Sequence, residues 1–188
     1  VENLFAKLKG GDGRHFCFAG HTDVVPVGDR KGWSIDPFAA EIVDGQLYGR
    51  GASDMKGGVA GFLVAMRQLA DLRSRWAGTI VAHVVPDEEP GGQLGAELLL
   101  KSGRIAGDAA IIAEPSELAV FSAQKGNLFA TIVFKGRSAH GSMPELGDNA
   151  IGHAIRFATD IEQRLAPQLT ERRHELVGRA SVSIGTIH

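Results

Sequence analysis

The stretch Tyr48-Gly49-Arg50-Gly51-Ala52-Ser53-Asp54-Met55-Lys56-Gly57-Gly58 decides how this chain is read. An acidic residue, Asp54, follows a turn of small residues, and a long apolar-periodic run begins directly behind it. A carboxylate is thereby placed where an irregular loop feeds a helix, a position from which it can be aimed at a ligand. Upstream lies Gly20-His21-Thr22-Asp23; downstream lie Pro86-Asp87-Glu88-Glu89-Pro90 and Ala113-Glu114-Pro115. Each sets a metal-capable side chain just after a strand-like run. One such residue means little, but a series of them at strand ends points to one shared site.

Working outward, Val59, Phe62, Leu63, Met66, Leu69 and Ala70 recur at helical spacing. They predict a helix from Met55 of about five turns with a core-facing stripe. Gly57, Gly58 and Gly61 weaken its first turns, which is expected where another backbone approaches closely. On the N-terminal side, residues 4–8 and 15–19 read as strands around the turn Gly10-Gly11-Asp12-Gly13. Glu41-Ile42-Val43, Asp44-Gly45 and Leu47-Tyr48 read as a hairpin, and Trp33 and Phe38 as packing residues. His21 and Asp23, at i and i+2, share one face of an extended chain. Either Asp23 orients a metal-binding His21 through the other ring nitrogen, or the two form a polar strand end with a local hydrogen bond.

On the C-terminal side, residues 79–85 form a strand that is apolar apart from His83, which reads as a satisfied core histidine. Pro90 biases Glu89 away from the helical region, so Glu88 and Glu89 leave the strand extended and point to different sides. One can bind a metal while the other faces a substrate; taken alone, such a cluster is more often a solvated acidic turn. A helix over 94–101 stops near Gly103, and a buried strand over 108–113 ends at Glu114-Pro115. Strand and helix in alternation predict an α/β sheet with helices on its faces, with ligands at the loops leaving the strands. After about Gln124 the character changes. An alternating strand over 128–134, the loop Gly136-Arg137-Ser138-Ala139-His140-Gly141 and a helix capped by Asp148 lead to a strand over 180–187. That helix carries Ile151, Ala154, Ile155, Ala158, Ile161 and Leu165. Two domains are expected, 1–124 and 125–188.

Composition narrows the function classes. The 188 residues are 44% hydrophobic and 22% charged, ordinary for a globular protein. Lys+Arg 20 against Asp+Glu 22 leaves a net charge of -2 and no electrostatic case for nucleic acid or an anionic membrane. No apolar run reaches the roughly 18 residues of a membrane span. The lone cysteine, Cys17, lies in the apolar run Phe16-Cys17-Phe18-Ala19 and reads as buried. One cysteine excludes an intramolecular disulfide and fits a reducing compartment, so a cytoplasmic location is expected. Nothing at Val1 reads as a signal peptide, although the chain does not begin with Met.

His21, Asp54, Glu89 and Glu114 offer one imidazole and several carboxylates, a set that suits zinc, cobalt or manganese better than calcium. A carboxylate has two oxygens to divide between two metals. Two ions roughly 3.5–4 Å apart polarise a carbonyl and generate hydroxide from water. The remaining acid, Glu88, is then the general base that passes a proton to the leaving nitrogen. No Ser/His/Asp or Cys/His arrangement competes, and Gly91-Gly92 lacks the ending of a phosphate-binding loop.

His21-Thr22-Asp23, Gly49 to Gly57, Asp87-Glu88-Glu89, Glu114-Pro115 and Ser138-Ala139-His140-Gly141-Ser142 together resemble the dizinc aminoacylase and exopeptidase family. That family includes acetylornithine deacetylase, succinyl-diaminopimelate desuccinylase and glutamate carboxypeptidase. The resemblance covers nearly the whole chain. It implies a zinc-exopeptidase-like catalytic domain, with a mixed central sheet and helices on both faces, followed by the beginning of an α+β lid and dimerisation domain. It further implies that His21 and Glu114 hold one metal, Asp54 bridges, Glu89 holds the second, Glu88 is the acid/base and Asp23 clamps His21. A cis peptide at Asp54-Met55 and a homodimer in which His140 reaches the partner's site and supports the oxyanion belong to the same expectation. Glu114, where the peptidases carry Asp, points to deacylation of a small N-acyl amino acid; a dipeptidase or carboxypeptidase and a noncatalytic binding module are the alternatives. The family's final histidine ligand to the second metal comes from far downstream and has no counterpart in this sequence, so that site is expected to be incomplete.

Overall fold

The computed structural model describes residues 1–188, which form two units, Val1–Ala119 and Val120–His188. The first is built on Thr79–Val85, a strand buried at every position. Chain order there is β1 (Leu4–Lys9), β2 (His15–His21), β3 (Glu41–Val43), β4 (Gln46–Tyr48), α1 (Gly57–Asp71), β5 (Thr79–Val85), α2 (Ala96–Lys101) and β6 (Ala109–Ile112). The main sheet is four-stranded in the order β1-β5-β2-β6. β1 runs antiparallel to β5, while β5, β2 and β6 run parallel, so the sheet is mixed.

Register decides where the chemistry lies. His21 at the end of β2 pairs with Val85 at the end of β5, and Ala19 pairs with Ile112 at the end of β6. The loops that leave all three strands therefore start at one edge of the sheet. The apolar run over 108–113 is not buried as expected: every residue of β6 is exposed. β6 is the sheet's last strand and has only β2 beside it.

The hairpin forms as the sequence predicts, with Asp44 and Gly45 at φ 52° and 77°. Trp33 is half-buried and donates its indole N–H to the Val27 carbonyl at 2.9 Å. Phe38, expected to pack, is 60% exposed. Residues 52–56 wind one wide turn, closed by Lys56 N–H donating to the Gly51 carbonyl at 3.0 Å. Regular helix begins only at Gly57, so α1 is shorter than the periodicity suggests. Its stripe faces the core at Val59, Phe62, Met66, Leu69 and Ala70, but Leu63 is 45% exposed. Of its early glycines, Gly57 and Gly58 meet the expected close approach: a Cβ would lie 2.7 Å from the Ala52 carbonyl oxygen at the first and 2.5 Å from that of Ala113 at the second. Gly61 faces open space.

The core joins Phe18, Met55, Val59 and Val84, with Phe62 and Ala113 packed against it. The Phe18 and Phe62 rings stack with centroids 3.8 Å apart. Cys17 is buried, as its run predicts. His83 is buried too, but its Nδ1 has no hydrogen-bond partner, so it is not the satisfied core histidine expected. No helix is long and apolar enough to cross a membrane.

In the second unit, α3 (Ala150–Asp160) is followed by a wide turn, Ile161–Leu165, and by α4 (Ala166–Glu171). Pro167 has no N–H to donate to the preceding turn, which accounts for the loosened ladder there. Asn149, not Asp148, caps α3, accepting from Gly152 N–H at 3.1 Å. Asp148 instead exchanges backbone hydrogen bonds with Arg137 and takes His153 Nε2 at 2.6 Å. The strands expected over 128–134 and 180–187 do not form. Each alternates correctly but finds no neighbouring ladder, and the only sheet is the short pair β7 (Arg173–His174) and β8 (Gly178–Arg179). The apolar stripe of α3 accordingly stays open at Ile151 and Ile155, 71% and 61% exposed. Phe157 does meet Phe134, with ring centroids 5.6 Å apart.

Two outcomes are expected. Gly58→Ala forces α1 away from Ala113 and lowers stability by about 1–3 kcal/mol, read as a lower urea midpoint; an unchanged midpoint contradicts this packing. Burial lowers the pKa of His83 below its ordinary 6.5. The unfolded chain then binds a proton that the folded chain refuses, so stability falls as pH drops through that value. His83→Leu should flatten the difference in denaturation midpoint between about pH 7 and about pH 5.

Candidate metal centre

Each residue at the site is delivered by a different piece of backbone. His21 ends β2 and is 1% exposed. Asp23 is two residues further on. Asp54 sits in the wide turn before α1, with φ −116° and ψ 100°, outside the helical region, and the Asp54–Met55 peptide is cis. Met55 is wholly buried against Phe18, Val59 and Val84. Anchoring of that thioether in the core aims the preceding carboxylate at the sheet edge. Glu88 and Glu89 follow β5, and Glu114 follows β6.

The His21 ring ties these segments together. Its Nδ1–H donates to the Asp23 backbone carbonyl at 3.1 Å and lies 3.3 Å from the Asp23 carboxylate. Its Nε2 lies 3.0 Å from Asp54 Oδ1, 3.5 Å from Glu114 Oε1 and 3.9 Å from Glu88 Oε2. The Asp23 carboxylate also accepts the backbone N–H groups of Glu88 at 3.1 Å and Glu89 at 2.9 Å. Glu89 Oε1 accepts from Val25 N–H at 3.2 Å. The β2 and β5 loops are thus laced to each other through carboxylates.

With Nδ1–H committed to Asp23, Nε2 turns a lone pair toward oxygens that can only accept. Such a cluster needs either a proton on Nε2 or a cation among the acceptors. The ionisation shifts combine burial with the charges of neighbouring acids. Burial alone lowers the His21 pKa, but the charges of Glu114 and Glu88, with hydrogen bonds to Asp23 and Asp54, raise it overall. Glu88 is raised by burial, partly offset by His21, with Glu89, Asp23 and Asp54 adding to it. Glu114 is raised by burial and by Asp54, again offset in part by His21. A divalent cation would offset the mutual repulsion of these carboxylates. Two groups have donor atoms mutually within 4.8 Å: His21, Glu88 and Glu114, and His21, Asp54 and Glu89. The nitrogen and carboxylate donors fit zinc, and also cobalt or manganese.

The expected residues His21, Asp23, Asp54, Glu88, Glu89 and Glu114 are therefore neighbours. Proximity alone does not separate Glu88 from the metal-holding acids, because it shares a group with His21 and Glu114. His140 belongs to the second unit, is exposed, and accepts from Ser142 N–H at 3.2 Å. Sequence reasoning missed two residues. Asp87 is buried, so it is not part of a solvated acidic turn, the alternative its cluster offers when taken alone. The Arg50 guanidinium lies 5.0 Å from the centre of the Trp33 ring, which ties the turn before Asp54 to the loop after Asp23. For Asp87 the available signal was its place directly behind a buried strand; Arg50 carried none.

Residues 17–187 match peptidase family M20/M25/M40. The chain is 38% identical over 196 aligned residues to succinyl-diaminopimelate desuccinylase of Rhodospirillum centenum, covering 100% of this chain and 46% of that protein. It is 35% identical over 179 residues to succinyl-diaminopimelate desuccinylase of Parvibaculum lavamentivorans, covering 91% of this chain and 45% of that protein. Among solved structures it resembles aminopeptidase PepT of Bacillus cereus, with TM-score 0.51 and 25% identity over 84% of this chain and 42% of that one. The chain spans about half the length of the curated relatives it matches.

Because His21 belongs to both donor groups, His21→Ala should weaken zinc binding by more than about a hundredfold, since even outer-shell partners are worth 10–100-fold. Calorimetric titration of the metal-free protein reads this directly; wild-type affinity in the variant contradicts the assignment.

Proposed function

The chain belongs to peptidase family M20/M25/M40, and from that premise we propose that it hydrolyses the amide bond of a small N-acyl amino acid with divalent metal. The observation that carries this reading is the convergence on His21 Nε2 of the carboxylates of Asp54 at 3.0 Å, Glu114 at 3.5 Å and Glu88 at 3.9 Å. In this reading His21 and Glu114 would hold one ion, Glu89 would hold a second, and Asp54 would be shared between them. Zinc is the first choice, with cobalt or manganese as alternatives. Bound ions supply Lewis-acid polarisation of the scissile carbonyl and make water easier to deprotonate.

The remaining work falls to this chain's side chains. Glu88 takes the proton from water and hands it to the leaving nitrogen; its raised pKa brings it closer to the range where it can do both. Asp23 fixes the His21 tautomer from behind and holds Glu88 and Glu89 by their backbone N–H groups. The second unit is assigned to a lid through which two copies pair, with His140 contributing to the partner's site. Lone Cys17 suits a reducing compartment, and the cytoplasm is proposed on that ground.

The two desuccinylase relatives favour an N-succinyl or similar N-acyl amino acid as substrate. The likeness to an aminopeptidase supports a second reading, hydrolysis of a small peptide. A panel of N-succinyl amino acids, N-acetyl amino acids and dipeptides separates them. Faster turnover of the acyl amino acids is expected; preference for dipeptides selects the second reading, and hydrolysis of neither sinks both. Glu88→Gln should lower kcat by about 10²–10⁴ while zinc binding persists. Loss of zinc in that variant would move Glu88 from base to ligand.

A further inference from the structure

We propose that Asp87 is a positioning residue that sets the Glu88 and Glu89 carboxylates in place, a role that rests on the amide-hydrolase reading above. Asp87 lies immediately before the two glutamates, yet it turns inward and is only 7% exposed. Its Oδ2 accepts two backbone N–H groups from the far end of the loop, Leu94 at 2.7 Å and Gly95 at 3.0 Å. Its own carbonyl accepts Gly92 N–H at 2.7 Å, and the Glu88 carbonyl accepts Gly91 N–H at 2.8 Å. The segment from Asp87 to Gly95 is thereby closed on itself, directly behind β5 and directly before α2.

Glu88 and Glu89 are then held from two sides. Asp23 accepts their N–H groups from the β2 side, and Asp87 fixes the root of their loop from the core side. Without Asp87 the Asp23 bonds remain, but the loop can pivot about them and carry both carboxylates away from His21. The other oxygen, Oδ1, is buried with no partner. An orphaned buried carboxylate oxygen is unfavourable, so an ordinary acidic turn would leave this side chain in water. Gly95 completes the arrangement by steric need. A Cβ there would lie 2.0 Å from Asp87 Oδ1 and 2.7 Å from Val85 Cβ. Only glycine lets the carboxylate reach the Gly95 N–H at that depth.

The test compares the wild-type protein with Asp87→Ala, Asp87→Asn and Gly95→Ala. Zinc affinity is measured by calorimetry on the metal-free proteins, and kcat and KM on the best N-acyl amino acid, at a temperature where thermal melts show each variant folded. Asp87→Ala should weaken zinc binding and lower kcat by roughly 10–100-fold, with KM little changed. Asp87→Asn keeps a carbonyl acceptor for the two N–H groups and should recover most of the loss. Gly95→Ala should lower kcat in the same direction with Asp87 chemically intact. Wild-type zinc affinity and kcat in Asp87→Ala overturn the proposal, as does a kcat loss that merely tracks the unfolded fraction. Should Asp87→Ala not fold, Gly95→Ala decides, and wild-type values there overturn it. A wild-type protein that neither binds zinc nor cleaves amides sinks the site reading itself; a working wild type with unaffected variants sinks only the role of Asp87.

Discussion

Parallel pairing of β2 with β5 and β6 is the constraint on which the site depends. Parallel strands deliver their C-terminal ends to one edge of a sheet, and here those ends lead to His21, to Glu88 and Glu89, and to Glu114. Side chains alternate along a strand, so a slip of one residue would turn His21 to the other face. The pairing itself is secured where the sheet is most buried: every residue of β5 is inside, and Thr22 N–H extends the β2 ladder to the Val85 carbonyl at 2.9 Å. Apolar burial thus fixes a register, and the register fixes which polar groups meet.

Asp54 reaches the same edge by another route. It comes from a wide turn rather than a strand, and its direction is set by Met55 packed against Phe18, Val59 and Val84. Gly58 lets the start of α1 lie against Ala113, one residue before Glu114. A hydrophobic contact and a missing side chain therefore bring together carboxylates that repel one another. Burial first, and that repulsion second, raise the pKa values of Glu88 and Glu114, and a divalent ion would neutralise the repulsion.

Much of this was legible in the sequence because glycine and proline punctuate it. Gly20, Gly51, Pro90 and Pro115 mark where ordered segments give way to loops, and His21, Asp54, Glu88, Glu89 and Glu114 stand at those marks. What could not be read depends on neighbours distant in the chain. An apolar run such as 108–113 looks buried, but only the strand order shows that β6 has one open side. Alternation over 128–134 and 180–187 records a preference for strand, and a strand exists only when another ladder lies beside it. Asp87 and Glu88 are adjacent acids with opposite fates, one buried and one exposed, because the loop closes over the first. His83 shows the converse: its burial follows from its apolar run, while the lack of a hydrogen-bond partner for its Nδ1 does not.

Asp23 carries a longer consequence. One carboxylate sits 3.3 Å from the His21 ring and also grips the Glu88 and Glu89 amides. Two properties that a lineage would wish to adjust separately, the electron-donating strength of the histidine and the placement of the acids, are inherited as one trait. A change at Asp23 would therefore disturb the histidine and both acids at once.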